Sequence, residues 1–485
     1  MTYNSLSFIT VLTLVALAPS SQVLLAAEPL AKPNILIIFA DDLGYGDIRA
    51  NNHESKIPTP NLDQFASQGM RFTDAHAPAG WCTPSRYGLL TGTYPFRCNR
   101  INKWRDMPVI EEEQLTLPEM LRTAGYTTGM VGKWHLGFEN SKNPKFDEPL
   151  RGGPMDRGFD HFFGIYTSLD FSPYYYIEGR QLVAEPTRHI ESRNDTREHL
   201  TNIQGEFYRG GPIAPGFRID GVLPRFREQA ISYLEKQARS DSEKPFFLYL
   251  ALTAPHTPWL PLEEFQGKSN AGTYGDFVVQ VDSLVGDVMH TLDRLEMADD
   301  TLVIFTSDNG PVWYEKDTER FGHSSTGPYR GMKKDLWEGG HRMPFLVRWP
   351  AAVKPGAVSD HLFSFTDIMA TAASIVGHPM PEGAGPDSID QSSVLLGQAK
   401  TSPRTELIIG ESAPLAIRDG KWKFIPSAWA NGFTPKPPKD VLQALPPVQL
   451  YNLEEDPSER NNLHGKLHDL VKQLEQKIPR LTANN

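Results

Sequence analysis

Cysteine is almost absent from this chain, since only Cys82 and Cys98 occur among its 485 residues. A disulfide framework therefore cannot hold the fold together, although one bridge between the two stays open for an exported chain. An excess of positive charge is also lacking, because the formal net charge is −11, and this argues against nucleic acid as the main partner. Internal repeats and a glycine-rich phosphate loop are missing too, which excludes a P-loop site.

Long apolar runs are scarce as well, and the most prominent one lies at the N-terminus. Residues 7–18 (SFITVLTLVALA) form a short apolar core followed by small residues, which predicts a signal peptide over residues 1–27. We therefore expect a secreted or periplasmic protein, or a lysosomal one if the source is eukaryotic. MTYNS lacks the usual positive charge, so an uncleaved anchor is the alternative. No later stretch predicts a stable membrane span.

The length indicates a large domain followed by a smaller one. Buried-looking strands alternate with helices through most of the chain, which predicts an α/β fold with a mostly parallel central sheet flanked by helices. The pattern weakens around 385–405, so we place a catalytic domain at 28–395. A C-terminal α+β subdomain at 396–485 should hold antiparallel strands near 415–425 and 448–453 and a terminal amphipathic helix.

Polar side chains follow two of the predicted strands at the point where each ends. NILIIFA runs into Asp41 and Asp42, and TLVIFTS runs into Asp308 and Asn309. The carboxyl ends of parallel strands share one edge of a sheet, where the sites of open α/β folds lie. Four oxygen ligands suit Ca²⁺ or Mg²⁺ and do not suit zinc. The alternative is a pair of solvated loops.

Basic and imidazole side chains follow other elements of the same kind. Lys133 and His135 come at the end of the strand predicted at 126–132, and His256 follows the strand predicted at 245–252. Lys333 and Lys334 precede a Trp-Glu-Gly-Gly turn. Taken singly, each of these lysines could be an ordinary surface residue, and each histidine could have a purely structural role.

The stretch CTPSRYGLLTG places Cys82 beside a predicted helix start. Thr83 can cap a helix and Pro84 suits its first position, so we expect Cys82 just before the helix N-terminus and Arg86 one turn inside. Free N–H groups and the helix dipole there favour an anion. From the residues alone, Cys82 is either a reactive nucleophile or a half-cystine.

The order of FADDLGYGD, CTPSR…LLTG, GKWHLG, APHTPW, SDNG, RGxK…EGG and LYNLEEDPSE resembles the sulfatase family over about residues 33–463. The resemblance implies an alkaline-phosphatase-like α/β core with a small C-terminal sheet. It also implies that a maturation enzyme converts the cysteine of Cys-x-Pro-x-Arg to formylglycine. Its metal ligands, usually to Ca²⁺ (with Mg²⁺ as an alternative), would be Asp41, Asp42, Cys82, Asp308 and Asn309.

The resemblance further implies how the site would work. Arg86 matches the arginine that holds the formylglycine. Lys133 and His135 match the pair near the hydrated aldehyde, and His256 and Lys333 match the pair that contacts the sulfate. Lys333 is preferred over Lys334 because it has the family's spacing to the Trp337-Glu-Gly-Gly turn. The implied reaction is hydrolysis of a sulfate ester to an alcohol and inorganic sulfate.

Residues 139–225 have weak periodicity and many aromatic residues, and we interpret them as an irregular insertion that forms the wall of the substrate cleft. Tyr174, Tyr175 and Tyr176 could stack on sugar rings there, which favours a sulfated carbohydrate over an aryl sulfate. A phosphodiesterase or phosphonate monoester hydrolase on the same scaffold is one alternative. A non-catalytic protein that binds sulfated glycans is another.

Overall fold

Buried apolar runs form the strands at the centre of the computed structural model, which describes residues 1–2, 32–139, 145–195, 204–240 and 243–483. The predicted signal at 1–27 lies almost wholly outside them. The strands, in chain order, are β1 (Asn34–Asp41), β2 (Met70–Phe72), β3 (Ala75–His76), β4 (Thr127–Lys133), β5 (His161–Ile165), β6 (Ile177–Glu178), β7 (Gln181–Leu182), β8 (Arg188–Ile190), β9 (Arg193–Asp195), β10 (Glu206–Tyr208), β11 (Gly211–Ile213), β12 (Phe246–Pro255), β13 (Thr301–Ser307), β14 (Phe345–Arg348), β15 (Ala357–Ser359), β16 (Phe363–Ser364), β17 (Glu406–Ile409), β18 (Ala416–Asp419), β19 (Trp422–Ile425) and β20 (Gln449–Asn452).

Helices cover the strands and connect them. They are α1 (Pro60–Gln68), α2 (Cys82–Thr91), α3 (Leu117–Thr123), α4 (Val222–Ala238), α5 (Gly272–Arg294), α6 (Glu315–Phe321), α7 (Glu338–His341), α8 (Asp367–Ile375), α9 (Ser392–Leu395), α10 (Lys439–Ala444) and α11 (His468–Ala483). Short 3₁₀ helices occur at Pro95–Arg97, Pro154–Asp156 and Glu263–Phe265. Within the described residues, no helix combines the length and apolarity that crossing a membrane requires.

The central sheet has ten strands in the order β15-β2-β14-β13-β1-β12-β4-β5-β6-β7. Its middle five strands, β13, β1, β12, β4 and β5, are parallel, while β14, β6 and β7 join antiparallel at the flanks. Strand β1 is buried along nearly its whole length, as expected for a parallel strand covered on both faces. The α/β prediction with a mostly parallel centre is confirmed.

The C-terminal sheet is separate and fully antiparallel, in the order β17-β18-β19-β20. It has its own apolar cluster, in which Ile408, Ile417, Phe424 and Leu450 are buried and α11 contributes Leu474. The predicted small sheet and terminal helix are therefore present. The domain boundary at 395/396 stays a prediction.

The stretch 139–225 is more regular than the sequence suggested. Strand β5 lies inside it and pairs in parallel with β4 as part of the central sheet, and β6 to β11 form short antiparallel pairs. Strand β5 (HFFGI) is too short to show a period. The sugar-stacking role expected of the tyrosines is wrong for two of them: Tyr174 and Tyr175 are buried in the main core, where no ligand can stack on them.

Candidate active site

Five elements carry the predicted site residues to one edge of the central sheet. Asp41 ends β1, Lys133 ends β4, and Asp308 and Asn309 follow β13 directly. His256 follows β12, and Cys82 opens α2. Parallel strands place their carboxyl ends together, so residues far apart in the sequence meet here.

Helix α2 begins at Cys82 itself, two residues before Pro84, which was expected at the first helical position. Trp81 is extended and occupies the N-cap position without a side-chain cap hydrogen bond. The predicted cap role of Thr83 is wrong, because its hydroxyl instead donates to the backbone oxygen of His135 at 3.1 Å. Pro84 still falls in the first turn, where a missing N–H costs nothing. Cys82 therefore lies at the positive end of the helix dipole.

The acidic side of the site consists of three buried aspartates, Asp41, Asp42 and Asp308. Asp42 has a left-handed backbone (φ 65), and its N–H donates to Asp308 Oδ1 at 3.1 Å. Asn309 Nδ2 donates to Asp42 Oδ1 at 2.6 Å. Asp41 Oδ1 and Asn309 Oδ1 are buried and accept no hydrogen bond from any described group.

Three cations face these acids. Arg86 donates to Asp308 Oδ2 at 2.7 Å and also lies 3.7 Å from Asp41 Oδ1. The Lys133 ammonium binds Asp41 Oδ2, and Lys333 Nζ lies 2.6 Å from Asp42 Oδ1.

Both lysines and the arginine are buried, and each forms an ion pair with an aspartate, as buried basic side chains require. Their neighbour Lys334 is exposed, with its ammonium 4.6 Å from the centre of the Trp81 ring.

Burial and mutual charge shift the acidities of the site. Burial and the neighbouring charge of Asp41 raise the pKa of Asp308 to about 7, against the opposing effect of Arg86. Burial disfavours the charge of Asp41, yet Lys133, His256 and Arg86 outweigh it and lower the pKa of that carboxyl. Burial also raises the pKa of the Cys82 thiol, although Lys133 and Lys333 oppose this. The unmodified thiol is therefore protonated at neutral pH.

The two histidines have different surroundings. His256 Nδ1 lies 2.6 Å from the Thr257 backbone oxygen, so this nitrogen carries the proton and Nε2 faces Asp42 Oδ2 at 3.7 Å. Neither ring nitrogen of His135 has a hydrogen-bond partner among the described residues. Burial, followed by the charges of Lys133 and Arg86, holds the pKa of His135 well below its ordinary value, so its imidazole is neutral.

Trp104 is a site residue that the sequence did not indicate. Its ring meets the His135 ring edge-on, with the two centres 4.3 Å apart, and it supplies the apolar wall that desolvates the imidazole. Trp104 lies in the irregular segment between α2 and α3, where no pattern marks it. Only the folded chain brings it to the end of β4.

A second cluster of side chains that could bind a metal already surrounds a lysine ammonium. His76, Glu338 and His341 place nitrogen and carboxylate atoms close together in the interior. The Lys423 ammonium, however, lies 2.8 Å from Glu338 Oε1 and 2.9 Å from His341 Nε2. This cluster is a buried charge network between the central body and β19.

Cys82 and Cys98 are both free thiols, so the structure does not contain the disulfide that the sequence left open.

Comparison with known proteins agrees with this arrangement. Residues 33–378 match the family model for sulfatases.

The chain belongs to the sulfatase family.

An N-acetylgalactosamine-6-O-sulfatase of Bacteroides thetaiotaomicron is 36% identical over 477 residues, which cover 91% of this chain and 92% of that protein. Human arylsulfatase A is 35% identical over 488 residues, covering 96% and 90%. The chain is thus an enzyme that hydrolyses sulfate esters.

Solved structures share the fold. A structure from work on the metabolism of multiple glycosaminoglycans by Bacteroides thetaiotaomicron superposes with a TM-score of 0.81 at 34% identity, covering 94% of this chain and all of that one. The structure of Ps i-CgsB in complex with k-i-k-neocarrahexaose gives a TM-score of 0.69 at 26% identity, covering 93% and 92%. The similarity extends over both sheets of this sulfatase.

Proposed function

We propose that this sulfatase removes sulfate from a sulfated carbohydrate, with a formylglycine made from Cys82 as its nucleophile. A divalent cation, Ca²⁺ or alternatively Mg²⁺, would be held by the four oxygen ligands Asp41, Asp42, Asp308 and Asn309, together with the modified residue 82. The proposal includes export of the chain by the segment 1–27 and its maturation by a formylglycine-generating enzyme. The observation that carries it is that ligand atoms of Asp41, Asp308 and Cys82 lie within 4.8 Å of one another, beside buried oxygens that have no donor among the described residues.

The residues present fit a hard cation. Asp41 Oδ1 and Asn309 Oδ1 are buried acceptor atoms without a described donor, and leaving such atoms unpaired is costly. Oxygen from carboxylates and an amide is the donor set that Ca²⁺ and Mg²⁺ prefer. The three aspartates balance the three basic side chains, so a bound divalent ion would make the pocket positive toward a sulfate ester. When bound, it would supply Lewis-acid stabilisation of charge on oxygen.

The raised pKa of the Cys82 thiol argues against a simple cysteine nucleophile. A thiol that stays protonated attacks poorly. A formylglycine at position 82 would supply, as its hydrate, two hydroxyls: one would serve as the nucleophile toward sulfur, and loss of the proton of the other would allow sulfate to leave. Arg86 would fix this residue, because its guanidinium lies one turn along the same helix and is itself held by Asp308 and the Lys133 backbone oxygen.

The surrounding side chains then take separate roles. Lys133 and Lys333 would neutralise charge that develops on the sulfuryl oxygens. His256, whose Nδ1–H is held by a backbone carbonyl, would act as the general acid when Nε2 is protonated as well, passing that second proton to the leaving oxygen. His135, neutral and with both nitrogens free of described partners, would accept the proton of the second hydroxyl.

The carbohydrate part of the proposal rests on the relatives and on the aromatic residues around the site. One relative is named for N-acetylgalactosamine, and one structure contains a bound oligosaccharide. Trp81 directly precedes Cys82 and is only half-buried, so it can contact a sugar ring where Tyr174 and Tyr175 cannot.

The test is sulfate release by purified protein that was co-expressed with a formylglycine-generating enzyme and loaded with Ca²⁺. We expect turnover of sulfated N-acetylhexosamines and of a small aryl sulfate, and none by the Cys82→Ala variant. Aryl phosphate esters are the comparison that tests the phosphodiesterase alternative, and faster turnover of these would favour it. A demonstrably modified, Ca²⁺-loaded protein that releases no sulfate from any ester in the panel would overturn the proposal.

A further inference from the structure

An alternating stack of aromatic rings and arginines begins next to the candidate active site. The Arg105 guanidinium carbon lies 4.8 Å from the centre of the Trp104 ring and 4.0 Å from that of Phe171. The Arg209 guanidinium carbon lies 4.0 Å from the same Phe171 ring and 5.0 Å from that of Phe207. We call Trp104, Arg105, Phe171, Arg209 and Phe207 the arginine stack.

The stack is close enough to the reaction centre for one substrate molecule to contact both. The Trp104 ring centre is 4.3 Å from that of His135, and the Arg105 guanidinium carbon is 4.8 Å from the Trp104 centre, so Arg105 lies at most about 9 Å from the His135 ring. Arg209 lies one ring further away, beyond Phe171. This spacing suits a group on the same sugar or on its neighbour.

The charges of the stack are incompletely balanced. Arg209 donates to Asp170 Oδ2 at 2.7 Å, and Asp170 is also bound by the Ser168 hydroxyl at 2.7 Å. Arg105, by contrast, makes neither a hydrogen bond nor an ion pair within the described part of the chain. Partial burial and the charge of Arg209 lower the pKa of Arg105, although Asp170 and Asp106 oppose this. An added anion would relieve the repulsion between the two guanidinium groups.

Both arginines are accessible to a ligand. Arg105 is exposed, and 47% of the Arg209 side chain is accessible. The aromatic rings hold the guanidinium planes in place. Within the described residues the N–H groups of Arg105 are unused, whereas Nη1 of Arg209 binds Asp170. A fixed guanidinium fork matches a carboxylate or a sulfate. Stacking also reduces the conformational entropy that binding would cost.

We propose that the arginine stack is a second anion-binding subsite, which receives a carboxylate or a further sulfate of the sugar next to the reacting ester. The inference rests on the proposed function and narrows its substrate class to glycans that carry more than one negative charge. Arg105 and Arg209 are binding residues in this account and take no part in the chemistry. They would lower the KM of a multiply charged substrate and leave that of a singly charged ester unchanged.

The test compares inhibitors that reach the stack with one that does not. The double variant Arg105→Gln/Arg209→Gln removes both charges, and hydrolysis of a small aryl sulfate provides the readout. Inorganic sulfate should inhibit at the reaction centre alone, whereas a chondroitin sulfate tetrasaccharide, which carries uronates, should contact the stack as well. Arg225→Gln is the matched control, because Arg225 is also 47% accessible and lies 5.4 Å from the centre of an aromatic ring, that of Phe163.

We expect the tetrasaccharide to inhibit the wild-type enzyme, and its Ki to rise about tenfold in the double variant, a change typical of two exposed charge pairs. The Ki of inorganic sulfate, the KM of the aryl sulfate and the Tm should stay within their errors, and the control should match the wild type. The inference is wrong if the tetrasaccharide fails to inhibit the wild type or if its Ki is unchanged in the double variant. It is also wrong if the Ki of the tetrasaccharide, the Ki of inorganic sulfate and the KM of the aryl sulfate all change together. Absence of any aryl sulfate turnover by the wild type would count against the proposed function instead.

Discussion

Lys333 and Lys334 are adjacent in the sequence, yet their ammonium groups lie in opposite environments. Lys333 is 5% exposed and binds both oxygens of Asp42, at 2.6 and 2.8 Å, whereas Lys334 is exposed against the Trp81 ring. Replacing each with alanine therefore gives a matched pair of variants. We expect Lys333→Ala to lose most of the activity and Lys334→Ala to keep it.

The magnitude follows from what Lys333 does in the site. It is one of three cations that face three buried aspartates, and it would be one of two lysines at the sulfuryl oxygens. Removing a single preorganised donor of this kind costs about 10²–10³-fold in kcat. Removing one partner of a buried ion pair also costs about 3–5 kcal/mol of folding stability, because among the described residues the Asp42 carboxylate would keep Asn309 and the more distant His256.

The assay is the kcat/KM for a small aryl sulfate, measured with saturating Ca²⁺ so that the cation compensates part of the lost charge. The Tm of each variant, recorded with and without Ca²⁺, identifies any loss of activity that is only unfolding. A Lys333→Ala protein that is folded and active within threefold of Lys334→Ala would refute the reasoning. So would a large loss in Lys334→Ala alone, since the family spacing to the Trp337 turn would then be misassigned.

Three further predictions concern stability and the cation. Burial disfavours the charge of Asp74, but two arginines outweigh it and lower the pKa of this carboxyl below the ordinary 3.8. The carboxylate therefore stabilises the fold above pH 3.8, and this stabilisation is lost as the pH falls further. Asp74→Asn should cost about 3 kcal/mol at pH 7, and the free energy of unfolding in urea should fall less steeply with acid than in the wild type. Asn309→Ala should raise the Ca²⁺ concentration for half-maximal activity by at least about tenfold, as read from a Ca²⁺ titration of turnover, and an unchanged titration would exclude Asn309 as a ligand. Gly132→Ala should abolish soluble expression, because Gly132 has φ 128 and an added Cβ would lie 1.8 Å from a backbone oxygen of β12. Gly125→Ala is the comparison: Gly125 has φ 99 and open space around it, so the change should cost only about 1–2 kcal/mol of stability in thermal unfolding.

The strand ends were predictable because buried parallel strands have a strong signal. Continuous apolar runs identify β1, β12 and β13, and because the carboxyl ends of parallel strands share an edge, the sequence alone predicts that Asp41 and Asp308 lie close together. Strand β5 was missed because HFFGI is short and follows an aperiodic stretch. Its place in the sheet depends on pairing with β4, which is a long-range contact that local pattern does not encode.

The pairing inside the site could not be predicted for the same reason. That Lys133 binds Asp41, or that Arg86 binds Asp308, depends on side-chain directions at the ends of different elements. The arginine stack depends on three chain segments, near residues 104, 171 and 207, whose order along the chain carries no periodic signal. Tyr174 and Tyr175 show the converse error, since an aromatic run in an irregular segment favoured exposure and the fold buries it.

Peptide mass spectrometry across Cys82 determines whether residue 82 serves as a formylglycine. The protein should be produced together with a formylglycine-generating enzyme and digested without reduction. Conversion of the thiol to the aldehyde lowers the residue mass by about 18 Da, the stoichiometric change for this oxidation of a cysteine side chain. We predict that shift in the peptide that contains CTPSR. An unshifted thiol, or a bridge from Cys82 to Cys98, would contradict it.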